Sequence, residues 1–156
     1  MFNLKHIDVS RINRIPLISS SFSKEYINNI ISQQRRYSLL GAYDGSKALG
    51  YVAFKEIPGG GNEVYVSMIV VSKKGRGRGV GRALLDEVVR LTRPSSVAAF
   101  AVRESLTFWE SIGFVKTSDR PPSRRWLRRV GERNEIVDEQ RLWLYVKSTR
   151  LTRDRR

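Results

Sequence analysis

The chain contains no cysteine and a single histidine, His6, in 156 residues. Without cysteine there are no disulfides, no thiolate nucleophile and no thiolate metal ligand. A lone histidine argues against a multi-histidine metal centre and against a serine–histidine triad drawn from this chain, so no metal is expected. No apolar run reaches the length of about 18 residues that a membrane span needs. Residues 1–6 lack the long apolar core of a secretory signal, so the expected setting is cytoplasmic. Acidic residues are few, 15 against 29 basic, and the net charge is +14. The 40% hydrophobic content suffices for one sizeable core, which makes residues 1–148 a single expected domain. Residues 149–156 hold four arginines and no apolar period, and are expected to be a disordered tail.

The excess charge is concentrated. Residues 72–93 carry 7 basic and 2 acidic side chains, and residues 118–156 carry 12 and 6. The first block suits a polyphosphate. The second, with Arg124, Arg125, Trp126, Arg128 and Arg129, suits nucleic acid, an acidic protein or mere solubility.

The rest of the chain is organised around residues 63–93. Glu63 opens a run, Val64 to Val71, of mostly β-branched, aromatic or apolar residues without proline or glycine, as in a strand buried on both faces. From Val80 the period changes: Val80, Leu84, Val88 and Leu91 recur at helical spacing, with Arg82, Asp86, Glu87, Arg90 and Arg93 opposite. Between strand and helix lies Gly75-Arg76-Gly77-Arg78-Gly79-Val80-Gly81. Glycines let main-chain N–H groups come close to an anion, and the helix start adds orphan donors and a favourable dipole. The spacing fails the dinucleotide fingerprint at its third glycine, and the Gly-Lys-Ser/Thr of a P-loop is absent.

Around this unit, residues 1–7 read as an edge strand. Asp8 and Ser10 are candidate caps of a short helical segment that Pro16 interrupts or ends. Phe22, Tyr26, Ile27, Ile30 and Ile31 give a helix over residues 23–34. Residues 38–43 and 47–57 form a hairpin about Asp44-Gly45-Ser46. After Pro94 come a small-residue strand over 97–102, a short helix over 104–112 stopped by Gly113, a strand over 114–117, a basic connection over 118–139 and a last strand over 141–147.

Arg76-x-x-Gly79-x-Gly81 directly after a strand resembles motif A of the GNAT N-acetyltransferases. Phe108-Trp109-Glu110-Ser111-Ile112-Gly113-Phe114 resembles their motif B. With the order of elements, the likeness covers most of the chain. It implies an α/β fold whose central mixed sheet is splayed between its fourth and fifth strands, 63–71 and 96–102, and flanked by helices. It also implies acetyl-CoA as cofactor, a primary amine as acceptor and acetyl transfer between them. Main-chain groups of Ile69 and Val71, with Val70 between them, would then pair with the pantetheine arm. Amides from Arg76 through Gly77, Arg78, Gly79 and Val80 to Gly81 would hold the diphosphate, with Arg78 and Arg82 adding charge. Ser105 and Trp109 would border the cofactor.

Two positions depart from the family pattern. Trp109 stands where many members carry tyrosine, and an indole N–H does not protonate a thiolate. Val102 stands where many carry asparagine. For the base, period-two alternation puts Glu63, Tyr65 and Ser67 on one strand face, with Tyr65 nearest by spacing from Arg76 to the position where some members use a carboxylate. The acceptor is expected to lie against residues 18–37 and 118–140, and superfamily members frequently dimerise. Two other readings stand beside acetyl transfer: a nucleic-acid-directed enzyme of the same fold, acting on a base or an aminoacyl-tRNA, and a basic binding module without chemistry.

Overall fold

Strand β1 (Asn3–Ile7) is turned at its end by Asp8, whose carboxylate accepts from the Ser10 amide at 3.0 Å and the Ser10 hydroxyl at 2.9 Å. These bonds, the main-chain one foremost, hold the Asp8 carboxyl below its ordinary range. They start a 3-10 turn over Val9–Arg14. Pro16 ends that turn and also begins helix α1 (Pro16–Ser19), at the first helical position where a missing N–H is no loss. Helix α2 (Lys24–Ser32) is capped by Ser23, whose Oγ accepts from the Tyr26 amide at 3.1 Å, with Glu25 in the first turn. Strands β2 (Tyr37–Asp44) and β3 (Lys47–Glu56) form the expected hairpin, with Gly45 at φ 61° in its turn.

Then follow β4 (Glu63–Val71), helix α3 (Val80–Thr92), β5 (Ser96–Val102), helix α4 (Leu106–Ser111), β6 (Val115–Ser118) and β7 (Arg141–Val146). The structure, a computed structural model, describes residues 2–57, 62–102, 106–118, 128 and 141–146. The expectations for Ser105, for most of the basic connection and for the tail lie outside these residues.

The chain forms two compact units, the first comprising Met1–Lys55 and Ser67–Leu91, the second Glu56–Val66 and Thr92–Arg156. In the first, neighbouring strands run β1-β2-β3-β4, antiparallel from β1 to β3. Its core holds Ile12, Ile18, Ile30, Leu39, Leu40, Val52 and Leu84, all fully buried. Helix α3 contributes Val80, Leu84 and Val88 as predicted, each worth roughly 1.5–3 kcal/mol on burial. Leu85 joins that stripe, whereas Leu91, in the last turn, is 39% exposed.

The second unit runs β4-β5-β7-β6. Strands β4 and β5 pair in parallel from Glu63↔Ser96 to Val66↔Ala99, and there the register ends. Strand β7 pairs antiparallel with both β5 and β6. The last of the described strands is therefore internal and β6 takes the edge. A four-residue strand makes a safe edge, and the longer apolar run of β7 tolerates cover on both sides. Trp109 and Phe114 pack edge to face at 4.7 Å across the turn at Gly113, whose φ is 95°.

The result is the mixed α/β fold expected, with antiparallel and parallel pairs and with the fourth and fifth strands at the expected bounds. One burial runs against the pattern. Lys55 is 2% exposed, its Nζ donating to Gln33 Oε1 at 2.5 Å and lying 4.8 Å over the Tyr37 ring. Among the described residues no helix is long and apolar enough to cross a membrane.

Candidate functional site

The loop after β4 is shaped by Ser72. Its Oγ accepts from the Gly75 amide at 3.1 Å, and its carbonyl accepts from the amides of Gly75 at 3.0 Å and Arg76 at 3.1 Å. These bonds close a 3-10 turn over Lys73–Gly75 and leave Arg76 extended. Gly77 and Gly79 follow at φ 74° and 76°, the left-handed region that side chains disfavour. A Cβ on either would meet no protein atom within 4 Å. Gly75 differs: its Cβ would stand 2.6 Å from the Leu49 carbonyl oxygen, so packing requires that glycine.

The first hydrogen bond of α3 comes late, from the Ala83 amide to the Gly79 carbonyl at 3.0 Å. Among the described residues, no protein acceptor takes the N–H of Gly77, Arg78, Gly79, Val80, Gly81 or Arg82. The Arg76 amide, by contrast, is committed to Ser72, so the open run starts one residue later than the motif alone suggests. Arg76 to Gly79 are exposed, Val80 and Gly81 buried, and the first turn of α3 carries no acidic side chain. Consecutive unclaimed amides at the positive end of a 13-residue helix have the chemistry that suits an anion.

Cationic side chains surround it. Lys73, Lys74, Arg76, Arg78 and Arg82 are all exposed. Arg78 donates to Asp44 Oδ2 at 3.3 Å, tying the loop to the β2–β3 hairpin. With the two side chains 38% and 56% exposed, the pair contributes about 1 kcal/mol at most.

Strand β4 changes character along its length. Glu63 is half-buried, Val64 to Met68 are buried, and Ile69, Val70 and Val71 are half-buried again. Its register against β3 changes too. The Ile57 amide donates to the Glu63 carbonyl, and the Ser72 amide to the Leu49 carbonyl, both at 2.8 Å. Between these bonds β3 advances eight residues and β4 nine, so β4 holds one extra residue, a bulge. Within that stretch the Ser67 Oγ donates to the Ala53 carbonyl at 3.4 Å, and the Ser67 carbonyl accepts from the Tyr26 hydroxyl of α2. Beyond Ser67, the Val70 carbonyl and Ser72 amide face β3, since a Cβ on Gly50 would lie 2.8 Å from Val70 O. Alternation then turns the main-chain groups of Ile69 and Val71 to the other edge.

Of the sequence-predicted residues, Ser67, Ile69, Val70, Val71 and the loop from Arg76 to Arg82 belong to the first unit, and Glu63, Tyr65 and Trp109 to the second. Tyr65 is fully buried, Ser67 is 5% exposed and Trp109 3%. Trp109 stacks edge to face on Phe108 at 5.4 Å as well as on Phe114. Three contributors escaped the sequence reading: Ser72 as the cap of the loop, Asp44 as the partner of Arg78, and Tyr26 as the donor to the Ser67 carbonyl. Ser72 had a usable signal, a serine three residues before the first motif glycine.

Compared with known proteins, residues 15–131 match the family described as the acetyltransferase (GNAT) domain. No curated protein matches the chain in sequence. Several solved structures share its fold. An IAA acetyltransferase from Bacillus cereus aligns with a TM-score of 0.67 at 19% identity, over 94% of this chain and 99% of that one. A Bacillus subtilis acetyltransferase solved in complex with CoA gives 0.65 at 12% identity, over 94% and 98%. The ribosomal-protein-S18-alanine N-acetyltransferase of Escherichia coli gives 0.65 at 14%, over 94% and 93%.

Proposed function

Since the chain belongs to the GNAT acetyltransferase family, we propose that it transfers an acetyl group from acetyl-CoA to a primary amine. The observation that carries this reading is the run of unclaimed amides from Gly77 to Arg82 at the start of α3. Those amides suit the coenzyme diphosphate, the open space over Gly77 and Gly79 suits its close approach, and Arg78 and Arg82 supply charge. Arg76, Val80 and Gly81 complete the loop. Ile69 and Val71, with their main-chain groups turned from β3, would pair with the pantetheine arm, and Val70 between them holds the strand to β3. Ser105 and Trp109 are assigned to the cofactor's border, Trp109 as a packed wall.

Acetyl-CoA supplies an acyl carbon already activated as a thioester. The protein has to hold that carbon beside an uncharged amine and exclude competing water. Attack forms the C–N bond and breaks the C–S bond; the amine gives up one proton and the thiol sulfur gains one, so no net proton is consumed. Glu63, half-buried, is assigned to accept the amine proton directly or through a water, with Tyr65 and Ser67 orienting the amine. No dedicated acid is assigned, because Trp109 cannot act as one.

The test is thermal: acetyl-CoA should raise the melting temperature, because a ligand that binds only the folded state stabilises it. A panel of amines, followed by release of free thiol, then finds the acceptor. Absence of any stabilisation by acetyl-CoA would overturn the reading.

One observation favours a second reading. Trp109 is buried among Phe108 and Phe114, as a core residue would be. That suits a basic binding module without chemistry, or a nucleic-acid-directed enzyme using the arginines of residues 118–156. Product from any amine disposes of the former; RNA or DNA binding that does not weaken with salt disposes of the latter. A homodimer and a cytoplasmic setting belong to the same proposal.

A further inference from the structure

We infer that Tyr26 is a positioning residue, setting the cofactor-facing edge of β4 from helix α2. This rests on the acetyl-CoA reading above. The Tyr26 hydroxyl donates to the main-chain oxygen of Ser67, in the buried interior and 41 residues away in sequence. Ser67 lies within the stretch of β4 that holds the extra residue, two residues before Ile69. A bulge disturbs the ladder around it, so a donor from outside the sheet helps to hold a buried carbonyl in that stretch. Tyr26 is such a donor. The Ser67 hydroxyl, bonded to the Ala53 carbonyl at 3.4 Å, ties the same residue to β3.

The consequence reaches the next residues. Without the extra residue, alternation would turn Ile69 and Val71 to β3 and leave Val70 facing outward. With it, Ile69 and Val71 present their N–H and C=O groups to the edge where a pantetheine arm would pair. Tyr26 is itself fixed at both ends: its ring stacks on Phe22 at 5.6 Å, and its amide donates to the Ser23 cap at 3.1 Å. The start of α2 and the middle of β4 are thus one hydrogen-bonded unit.

The experiment compares two probes on one variant. Acetyl-CoA needs both the loop and the β4 edge, whereas 3′-phosphoadenosine 5′-diphosphate, which is coenzyme A without its pantetheine arm, needs the loop alone. Calorimetric titration of Tyr26→Phe should show acetyl-CoA bound about fivefold more weakly, the size of one net hydrogen bond, and the fragment bound as before. Ser32→Ala, which removes an exposed hydroxyl bonded to the Asn29 carbonyl on the same helix, should leave both affinities unchanged. If Tyr26→Phe fails to fold, 3-fluorotyrosine at position 26, a stronger donor with the same ring, should change the ratio of the two affinities in the opposite direction.

An unchanged ratio in the variant that folds, whether both affinities hold or both fall together, overturns the inference alone. Wild-type protein that binds neither probe overturns the cofactor reading and this inference with it.

Discussion

Gly75 and Gly79 lie four residues apart in one loop, yet their surroundings differ, and on the proposed function a crossed pair of substitutions separates packing from binding. At Gly79, φ is 76° and an added Cβ meets nothing within 4 Å. The folded state therefore loses only the cost of a left-handed L-residue, roughly 1–2 kcal/mol. For a chain of this length that lowers the melting temperature by about 2–8 °C. Saturating ligand at 100 times its dissociation constant should stabilise the wild type by about 2.7 kcal/mol, or roughly 5–10 °C. Gly79→Asp places a carboxylate where the diphosphate would sit and should remove that increment. At Gly75 the added Cβ would stand 2.6 Å from the Leu49 carbonyl oxygen and 3.1 Å from Val71 Cγ1. Main chain cannot swing aside as a side-chain tip can, so Gly75→Ala should cost about 1–3 kcal/mol of stability. Its ligand increment should survive below the lowered transition. Differential scanning fluorimetry with and without acetyl-CoA measures all four quantities. A full increment in Gly79→Asp, or its loss in folded Gly75→Ala, would refute the division of labour.

Further outcomes are expected. Glu63→Gln should lower turnover about 10²-fold, in line with a general base, with acetyl-CoA binding unchanged; equal turnover removes Glu63 from the chemistry. Asp44→Asn frees Arg78 and should tighten acetyl-CoA binding a few-fold at low salt while changing stability by about 1 kcal/mol or less; weaker binding would mean the ion pair builds the loop. Ser23→Ala removes the cap of α2 and should cost about 1 kcal/mol by urea denaturation. Burial foremost, then the Tyr43 hydroxyl beside it, pushes the Tyr51 phenol above its ordinary value of 10.0. The fold thus favours the neutral phenol, and this contribution is complete below pH 10 and is lost as the pH rises above it. Wild-type stability should fall more steeply than that of Tyr51→Phe in that window, and parallel curves would contradict the assignment.

Much of the fold is legible because its elements announce themselves locally. The Asp44-Gly45 turn, the change of period at Val80 and the glycine stop at Gly113 each mark a boundary, and the structure places elements within a few residues of them. The glycine loop before α3 is legible for the same reason, since positive φ at Gly77 and Gly79 demands glycine. The bulge in β4 is not, because no glycine or proline marks it. It is visible only as nine residues of β4 set against eight of β3, a long-range count that local pattern does not contain. Tyr26 was concealed by its own company: among Ile27, Ile30 and Phe22 it reads as one more apolar residue, and its hydroxyl's partner lies 41 residues on. The internal place of β7 and the burial of Lys55 depend likewise on which distant segments meet.

The central claim, that the amides from Gly77 to Arg82 grip a coenzyme diphosphate, is tested most directly by titrating ¹⁵N-labelled protein with acetyl-CoA and following each backbone amide. Saturable downfield shifts at Gly77, Gly79 and Gly81, with one dissociation constant and sharply reduced in Gly79→Asp, are the expected result. Binding that leaves these amides unmoved while others shift would contradict it.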